Sequence, residues 1–159
     1  MNSYHLPILS DPFNTLNLRN VNNTTKFYYN CGGYALGTFS WYCPGRTRKE
    51  YYKIMEYAGT EDWYNALELA AEAIVNELSG WSVVPFNLVM ERKYSPAQYE
   101  VVAMRFSHMD FHFWKLGRNW NWYDKMGEAD WINRHAFEDV RHTWCHHYNS
   151  PIVCFIRMR

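Results

Sequence analysis

The sequence predicts an α+β domain in which N-terminal helices pack on a mostly antiparallel sheet. Segments with helical periodicity come first along the chain, and strand-like segments mostly follow them. This separation of helices from strands is typical of α+β folds. A length of 159 residues, with no internal repeat and no dividing linker, predicts one domain over residues 1–159.

The beginning of the chain combines an irregular arm with a short helix. Residues 1–27 are rich in Asn, Ser and Thr, so they are predicted to form an irregular N-terminal arm before a core over residues 28–158. The arm is expected to pack on the core through four apolar side chains: Leu6, Ile8, Phe13 and Leu16. The segment CGGYALGTF (31–39) predicts a short helix that begins at or just after Cys31.

Two further helices are predicted before residue 80. Residues 61–78 carry the clearest helical pattern, because apolar residues recur there at spacings of four, three, four and four. These residues are Trp63, Leu67, Ala70, Ile74 and Leu78. Residues 47–59 show a weaker helical period and follow the turn signal CPGR.

The second half of the chain is predicted to supply the sheet. Residues 81–89 contain Pro85, which lacks a backbone donor, so this segment is at best an edge strand. Further strand patterns lie in residues 99–107, 110–116, 119–126 and 151–158. A tight hairpin at Gly117-Arg118 is expected between the second and third of these, and residues 133–148 are predicted to form a helix.

The composition narrows the classes of partner. Sixteen Lys and Arg residues balance sixteen Asp and Glu residues, whereas nucleic-acid-binding domains usually carry a basic excess, so no nucleic-acid partner is expected. The chain has no apolar run of membrane-spanning length and its start does not resemble a signal peptide, which predicts no membrane association and a cytoplasmic location. The four cysteines form no CxxC pair, as is usual for free thiols.

Cys31 and His112 are the strongest candidates for chemistry. Nucleophilic catalysis by cysteine needs a thiolate, a base that ionises it and a polar group that orients the base. Cys31 stands where a helix begins, and the N-terminus of a helix favours negative charge. His112 lies at the centre of the predicted strand 110–116, where alternation places Asp110 and Trp114 on the same face.

The third member of such a site is expected from the neighbouring strand of the hairpin. Asp124 is the strongest candidate, and Asn119 and Asn121 are weaker ones. Strand alternation also puts Trp122 on the face of Asp124, so Trp114 and Trp122 are expected to form an aromatic wall that binds substrate. The register decides this expectation, because a shift of one residue would turn Asp124 to the opposite face.

Three segments together resemble a known family. They are NCGGYAL (30–36), DFHFWKL (110–116) and WYDKMG (122–127), and their order resembles that of papain-like cysteine peptidases and amidases, in particular the small bacterial and phage proteins of the NlpC type. The resemblance implies a papain-like core, Cys31 as nucleophile, His112 as general base and no cofactor. Asp124 stands where relatives often have a second histidine.

Each of these features also has a plain structural interpretation. Cys31 also fits a buried structural thiol, His112 a packed side chain and the tryptophans core residues. The cluster HTWCHH (142–147) places His142 and His146 four residues apart, a spacing found in zinc sites, but no paired ligand motif accompanies it. No metal site is therefore predicted.

Two functions follow from the sequence. The first is a cysteine hydrolase that cleaves amide bonds of a peptide or protein through an acyl-enzyme, with Asn30 and the Cys31 backbone N–H meeting the oxyanion. The second is a non-catalytic protein-binding module on the same fold, such as a phage inhibitor of a host defence protein, which would act in the host cytoplasm.

Overall fold

A computed structural model describes residues 30–38, 40–45, 47–127 and 132–159. N-terminal helices stand beside a six-stranded antiparallel sheet, which confirms the predicted α+β class. The helices are α1 (Cys31–Leu36), α2 (Arg48–Gly59), α3 (Trp63–Glu77) and α4 (Phe86–Met90), with a 3-10 helix at Phe137–Arg141. The strands are β1 (Ser82–Val84), β2 (Tyr99–Phe106), β3 (Phe111–Leu116), β4 (Trp122–Asp124), β5 (Asn133–His135) and β6 (Val153–Met158). The predicted arm, residues 1–27, lies outside the described residues.

Side-chain caps fix where the first three helices begin. The side chains of Asn30, Thr47 and Asp62 accept hydrogen bonds from backbone N–H groups in the first turns of α1, α2 and α3. Helix α1 ends after six residues at Gly37, which adopts the left-handed conformation that glycine tolerates best. Across the described ranges, no helix has the length and apolar content needed to cross a membrane.

The strands follow the order β1-β6-β2-β3-β4-β5, and every pairing is antiparallel. Strand β1 lies at the edge, as the proline in this segment predicted, and Pro85 separates it from α4. Strand β4 pairs with β3 only at Lys115 and Leu116 and then continues with β5. The two strands therefore separate just where the N-terminal half of β3 approaches α1.

The sheet separates two apolar clusters. Helices α1, α2 and α3 cover one face, to which β3 contributes Phe111 and Phe113. Helix α4 and the 3-10 helix cover the other face, to which β3 contributes Trp114 and Leu116. His112 shares the second face by strand alternation, so a buried polar group lies at the border of an apolar cluster.

A group of charges lies in the interior on the central strands. Glu100 accepts hydrogen bonds from Lys115 Nζ at 3.3 Å and from Arg157 Nε at 2.6 Å, and Lys115 is only 3% exposed. Burial alone raises the pKa of Glu100, but the hydrogen bond from Arg157 and the charge of Lys115 outweigh it, and the net shift is downward. Burial lowers the pKa of Lys115 against the opposing charge of Glu100.

Three predicted elements differ from those observed. Of the predicted edge strand 81–89 only Ser82–Val84 is a strand, because Pro85 ends it and stands at the N-cap of α4, which takes up the rest of the segment. The predicted helix 133–148 is wrong: the segment forms β5, the 3-10 helix and a series of turns, and Trp144 has a positive φ of 56°. The predicted strand 119–126 is shortened to β4, because residues 117–121 form a loop closed by a hydrogen bond from Gly117 N to Asn121 O at 2.8 Å.

Candidate active site

Cys31 is the first residue of α1 and lies against the backbone of β3. Its Sγ is 3.9 Å from the carbonyl oxygen of Phe111, to which the thiol donates, across 80 positions of sequence. This contact falls where β4 no longer pairs with β3. The thiol thus lies beside the segment of β3 that carries His112, in the cluster that contains Phe111 and Phe113.

Burial controls the protonation of this thiol. It raises the pKa of Cys31 to about 12, and the nearby carboxylates of Asp110 and Asp124 act in the same direction. Hydrogen bonding to the backbone at Phe113 opposes the shift without cancelling it. The thiol is therefore protonated at neutral pH in this arrangement, and a base is required to make it a nucleophile.

His112 is buried and held by contacts on three sides. Its Nε2 is 2.7 Å from Oδ2 of Asp124. The ring meets Trp114 edge-on at 4.7 Å and stacks on Tyr148 at 5.1 Å with an interplanar angle of 21°. Among the described residues, Nδ1 has no hydrogen-bond partner. The ring orientation is thus fixed through Nε2, and Nδ1 is the nitrogen left for proton transfer.

Asp124 is fully buried and binds two histidines at once. Its Oδ1 lies 2.5 Å from Nε2 of His135, and its Oδ2 also accepts from Nε1 of Trp144 at 3.3 Å. Burial alone raises the pKa of this carboxyl, but the hydrogen bonds from His112 and His135 outweigh it and leave the pKa below its ordinary value. Asp124 is therefore a carboxylate that can stabilise a protonated His112.

Cys31 and His112 line one cavity of about 380 Å³. Its wall includes four aromatic residues: Trp41, Tyr51, Phe111 and Tyr148. The exposed carboxylate of Asp110 also faces it and accepts from the Tyr148 hydroxyl at 3.3 Å. Burial is the main reason why the pKa of Tyr51 rises to about 12, so this phenol stays neutral. The arrangement offers a thiol, an imidazole and aromatic surface to one ligand.

The expected aromatic wall of Trp114 and Trp122 is corrected by the structure. Both side chains are fully buried and neither lines the cavity. Trp122 stacks on Phe137 and donates from Nε1 to the carbonyl of that residue at 3.0 Å. The prediction placed Trp114 and Trp122 on one face of the sheet. The 3-10 helix packs on that face, so both side chains belong to the apolar core.

Asn30 lines the cavity and also binds the backbone of two neighbouring segments. Its Oδ1 accepts from the backbone N–H of Gly33 at 2.8 Å and of Tyr42 at 2.9 Å. Its Nδ2 donates to the Tyr42 carbonyl oxygen at 2.6 Å. Asn30 therefore caps α1 and joins residue 42 to it. The bond from Nδ2 uses one of the two side-chain amide hydrogens of Asn30. One amide hydrogen therefore remains for the oxyanion that this side chain was predicted to meet.

The weaker candidates lie elsewhere. Asn119 donates to the hydroxyl of Tyr123 on β4 at 2.8 Å and accepts from the N–H of Asn121 in its own loop at 3.1 Å. His142 and His146 are exposed. In the part of the chain that the structure describes, no three side chains of metal-ligating type are grouped so that they could hold a metal ion.

Three residues of this site were not predicted from the sequence: His135, Trp144 and Tyr148. His135 and Trp144 bind Asp124, and Tyr148 stacks on His112. All three follow β4, in a segment whose spacing predicted a helix, so no spacing rule indicated their contacts with Asp124 and His112. Their aromatic and imidazole character was the only available signal.

Comparison with known proteins finds no family model, no curated protein and no solved structure that matches this chain.

Proposed function

We propose that this protein is a cysteine hydrolase of the papain-like type that cleaves an amide bond of a peptide or protein. One observation carries the proposal. His112 is hydrogen-bonded through Nε2 to the buried carboxylate of Asp124 at 2.7 Å and lines the same cavity as the thiol of Cys31. A nucleophile, a base and a group that orients the base are the parts that such a reaction requires.

In the proposed reaction, Nδ1 of His112 takes the proton of the Cys31 thiol as Sγ attacks the substrate carbonyl carbon. Asp124 stabilises the resulting imidazolium through Nε2. The backbone N–H of Cys31, which has no partner within the first turn of a helix, and the remaining amide hydrogen of Asn30 meet the oxyanion. The imidazolium then protonates the leaving amine, and water releases the acyl group from Sγ with His112 again acting as base.

The experiment is alkylation by iodoacetamide, followed at each cysteine by mass spectrometry of peptides. Cys145 is exposed and serves as an ordinary thiol within the same chain. Cys31 is expected to react roughly tenfold faster than Cys145 at pH 6 to 7, because general-base assistance outweighs its restricted access. The change His112→Gln is expected to abolish this advantage.

The matched control is His142→Gln, since His142 is exposed and lies outside the cavity. It should leave both rates unchanged. The proposal is refuted if Cys31 reacts no faster than Cys145 and its rate does not respond to His112→Gln.

The second candidate is a protein-binding module that has kept the fold without the reaction. The observation in its favour is the burial of Cys31, which raises the pKa of the thiol to about 12. It predicts the opposite outcome of the same experiment. Cys31 would then react more slowly than Cys145 at every pH, with and without His112→Gln.

A further inference from the structure

The carboxylate of Asp124 is shared by two imidazoles from different strands. His112 on β3 binds Oδ2 at 2.7 Å, and His135 on β5 binds Oδ1 at 2.5 Å. Strand β5 pairs with β4 so that His135 lies opposite Trp122, one pleat along from Asp124. The side chain of Asp124 is 0% exposed and that of His135 only 17% exposed, so water competes little for either bond.

We propose that His135 is a positioning residue of this site, which anchors Asp124 and limits the protonation of His112 by sharing the same negative charge. The inference rests on the proposed function, in which His112 must be neutral to accept the thiol proton. It adds a role for a residue that touches neither the cavity nor the thiol.

The negative charge of Asp124 is shared between His112 and His135. A single buried carboxylate can neutralise one imidazolium, so a proton on either histidine disfavours a proton on the other. With His135 present, His112 therefore shares the negative charge of Asp124 and does not hold it alone. Anchoring of both carboxylate oxygens also fixes the direction in which His112 points.

The other groups around the carboxylate do not replace His135. Trp144 approaches Oδ2 from the segment after the 3-10 helix and donates from Nε1, but it carries no charge. The Cys31 thiol and the Tyr148 hydroxyl both interact electrostatically with Asp124, and burial keeps both protonated by raising their pKa. Lys125, the next residue in the chain, donates from Nζ to the carbonyl of Gly127.

Two further charges lie near His112 itself. Arg105 stands opposite it on β2 and donates to the carbonyl oxygens of Ser150 at 2.9 Å and Arg141 at 3.1 Å. The exposed Asp110, two residues before His112, accepts from the Tyr148 hydroxyl.

The test is the pH profile of iodoacetamide alkylation at Cys31 between pH 5 and 9. His135→Gln retains a donor toward Oδ1 but cannot bind a proton, so the acid limb of the profile should move to higher pH by about one unit while the rate at pH 8 stays within about twofold. His135→Leu also removes the anchor, and the rate at pH 8 should fall roughly tenfold. His142→Gln is the matched control and should leave the profile unchanged.

The outcomes separate this inference from the function on which it rests. A role of His135 in folding alone would change the rate without moving the midpoint. If Cys31 reacts in a His112-dependent way but His135→Gln leaves the midpoint unmoved, the inference is overturned and the hydrolase proposal stands. If Cys31 shows no such reactivity, the hydrolase proposal fails. The imidazole proton resonances of His112, titrated in the original protein and in His135→Gln, then test the sharing of charge directly, and an unshifted midpoint overturns it.

Discussion

Replacing Asp124 by Asn should destabilise the protein in a pH-dependent way. The carboxylate accepts from His112, His135 and Trp144, and hydrogen bonds to a charged group contribute roughly 1.5–3 kcal/mol each. Asn has one acceptor oxygen, so its NH₂ group faces one imidazole N–H and that bond is lost, while the others become neutral and weaker. Relief from burying a charge offsets part of this loss. The free energy of unfolding at pH 7 is expected to fall by about 2–4 kcal/mol.

The sign of the pH dependence follows from the pKa of Asp124, which the folded state lowers from 3.8. A lowered pKa means that the carboxylate contributes stability above pH 3.8, and that this contribution is lost as the pH falls through the lower folded-state value. Urea unfolding followed by far-UV circular dichroism measures the difference. Asp124→Asn should cost most at pH 7 and least near pH 3, with the exposed Asp139→Asn as control. A difference between the two variants that is absent, or equal at both pH values, would refute the reasoning.

Two pairs of substitutions test the packing of α1 and the interior charges by thermal or urea unfolding. A Cβ on Gly33 would lie 1.8 Å from the carbonyl oxygen of Ser40, so Gly33→Ala should destabilise by at least about 2 kcal/mol, whereas Gly59→Ala, with a nearest contact of 3.6 Å in a helix, should stabilise by about 0.5 kcal/mol. Equal effects of the two would contradict this account. Glu100→Gln leaves the buried Lys115 ammonium without its opposite charge and should destabilise by about 3 kcal/mol, whereas Lys115→Met should cost less than about 1 kcal/mol. The reverse order would show that the charges contribute little.

The sequence predicted the helices and strands whose apolar residues recur at a regular period. The period of residues 61–78 corresponds to α3, and the alternation in 110–116 puts His112 and Trp114 on one face of β3. The sequence also indicated Asp124 as the strongest candidate partner of His112, and in the structure the two side chains are hydrogen-bonded. Local patterns suffice here because helices and strands impose fixed periods on their side chains.

The segment 133–148 shows why the remainder was not predictable. Val140, Trp144 and Tyr148 are spaced four apart and all pack inward or partly inward, which imitates the buried stripe of a helix. The backbone instead turns at Trp144, whose positive φ follows from tertiary contacts and not from its own preference. His135 was assigned to this false helix, so its place beside Asp124 was hidden.

The aromatic residues that line the cavity were not predicted, for a similar reason. Trp41 and Tyr148 lie outside helices and strands, so no period places them. The buried tryptophans that the pattern offered in their place, Trp114 and Trp122, are covered by the 3-10 helix. Which face of a sheet is left open depends on the path of a loop, and the alternation of a strand contains no information about that path.

The inner position of β6 determines when the sheet can be completed. This strand is the last one described along the chain, yet it inserts between β1 and β2. Its pairing of Ser82 with Ile156 joins distant parts of the sequence, as does the contact of Cys31 with Phe111. Contacts of such long range close large loops and slow folding. A chain still being synthesised therefore holds Cys31 and His112 without the completed sheet that brings them to one cavity.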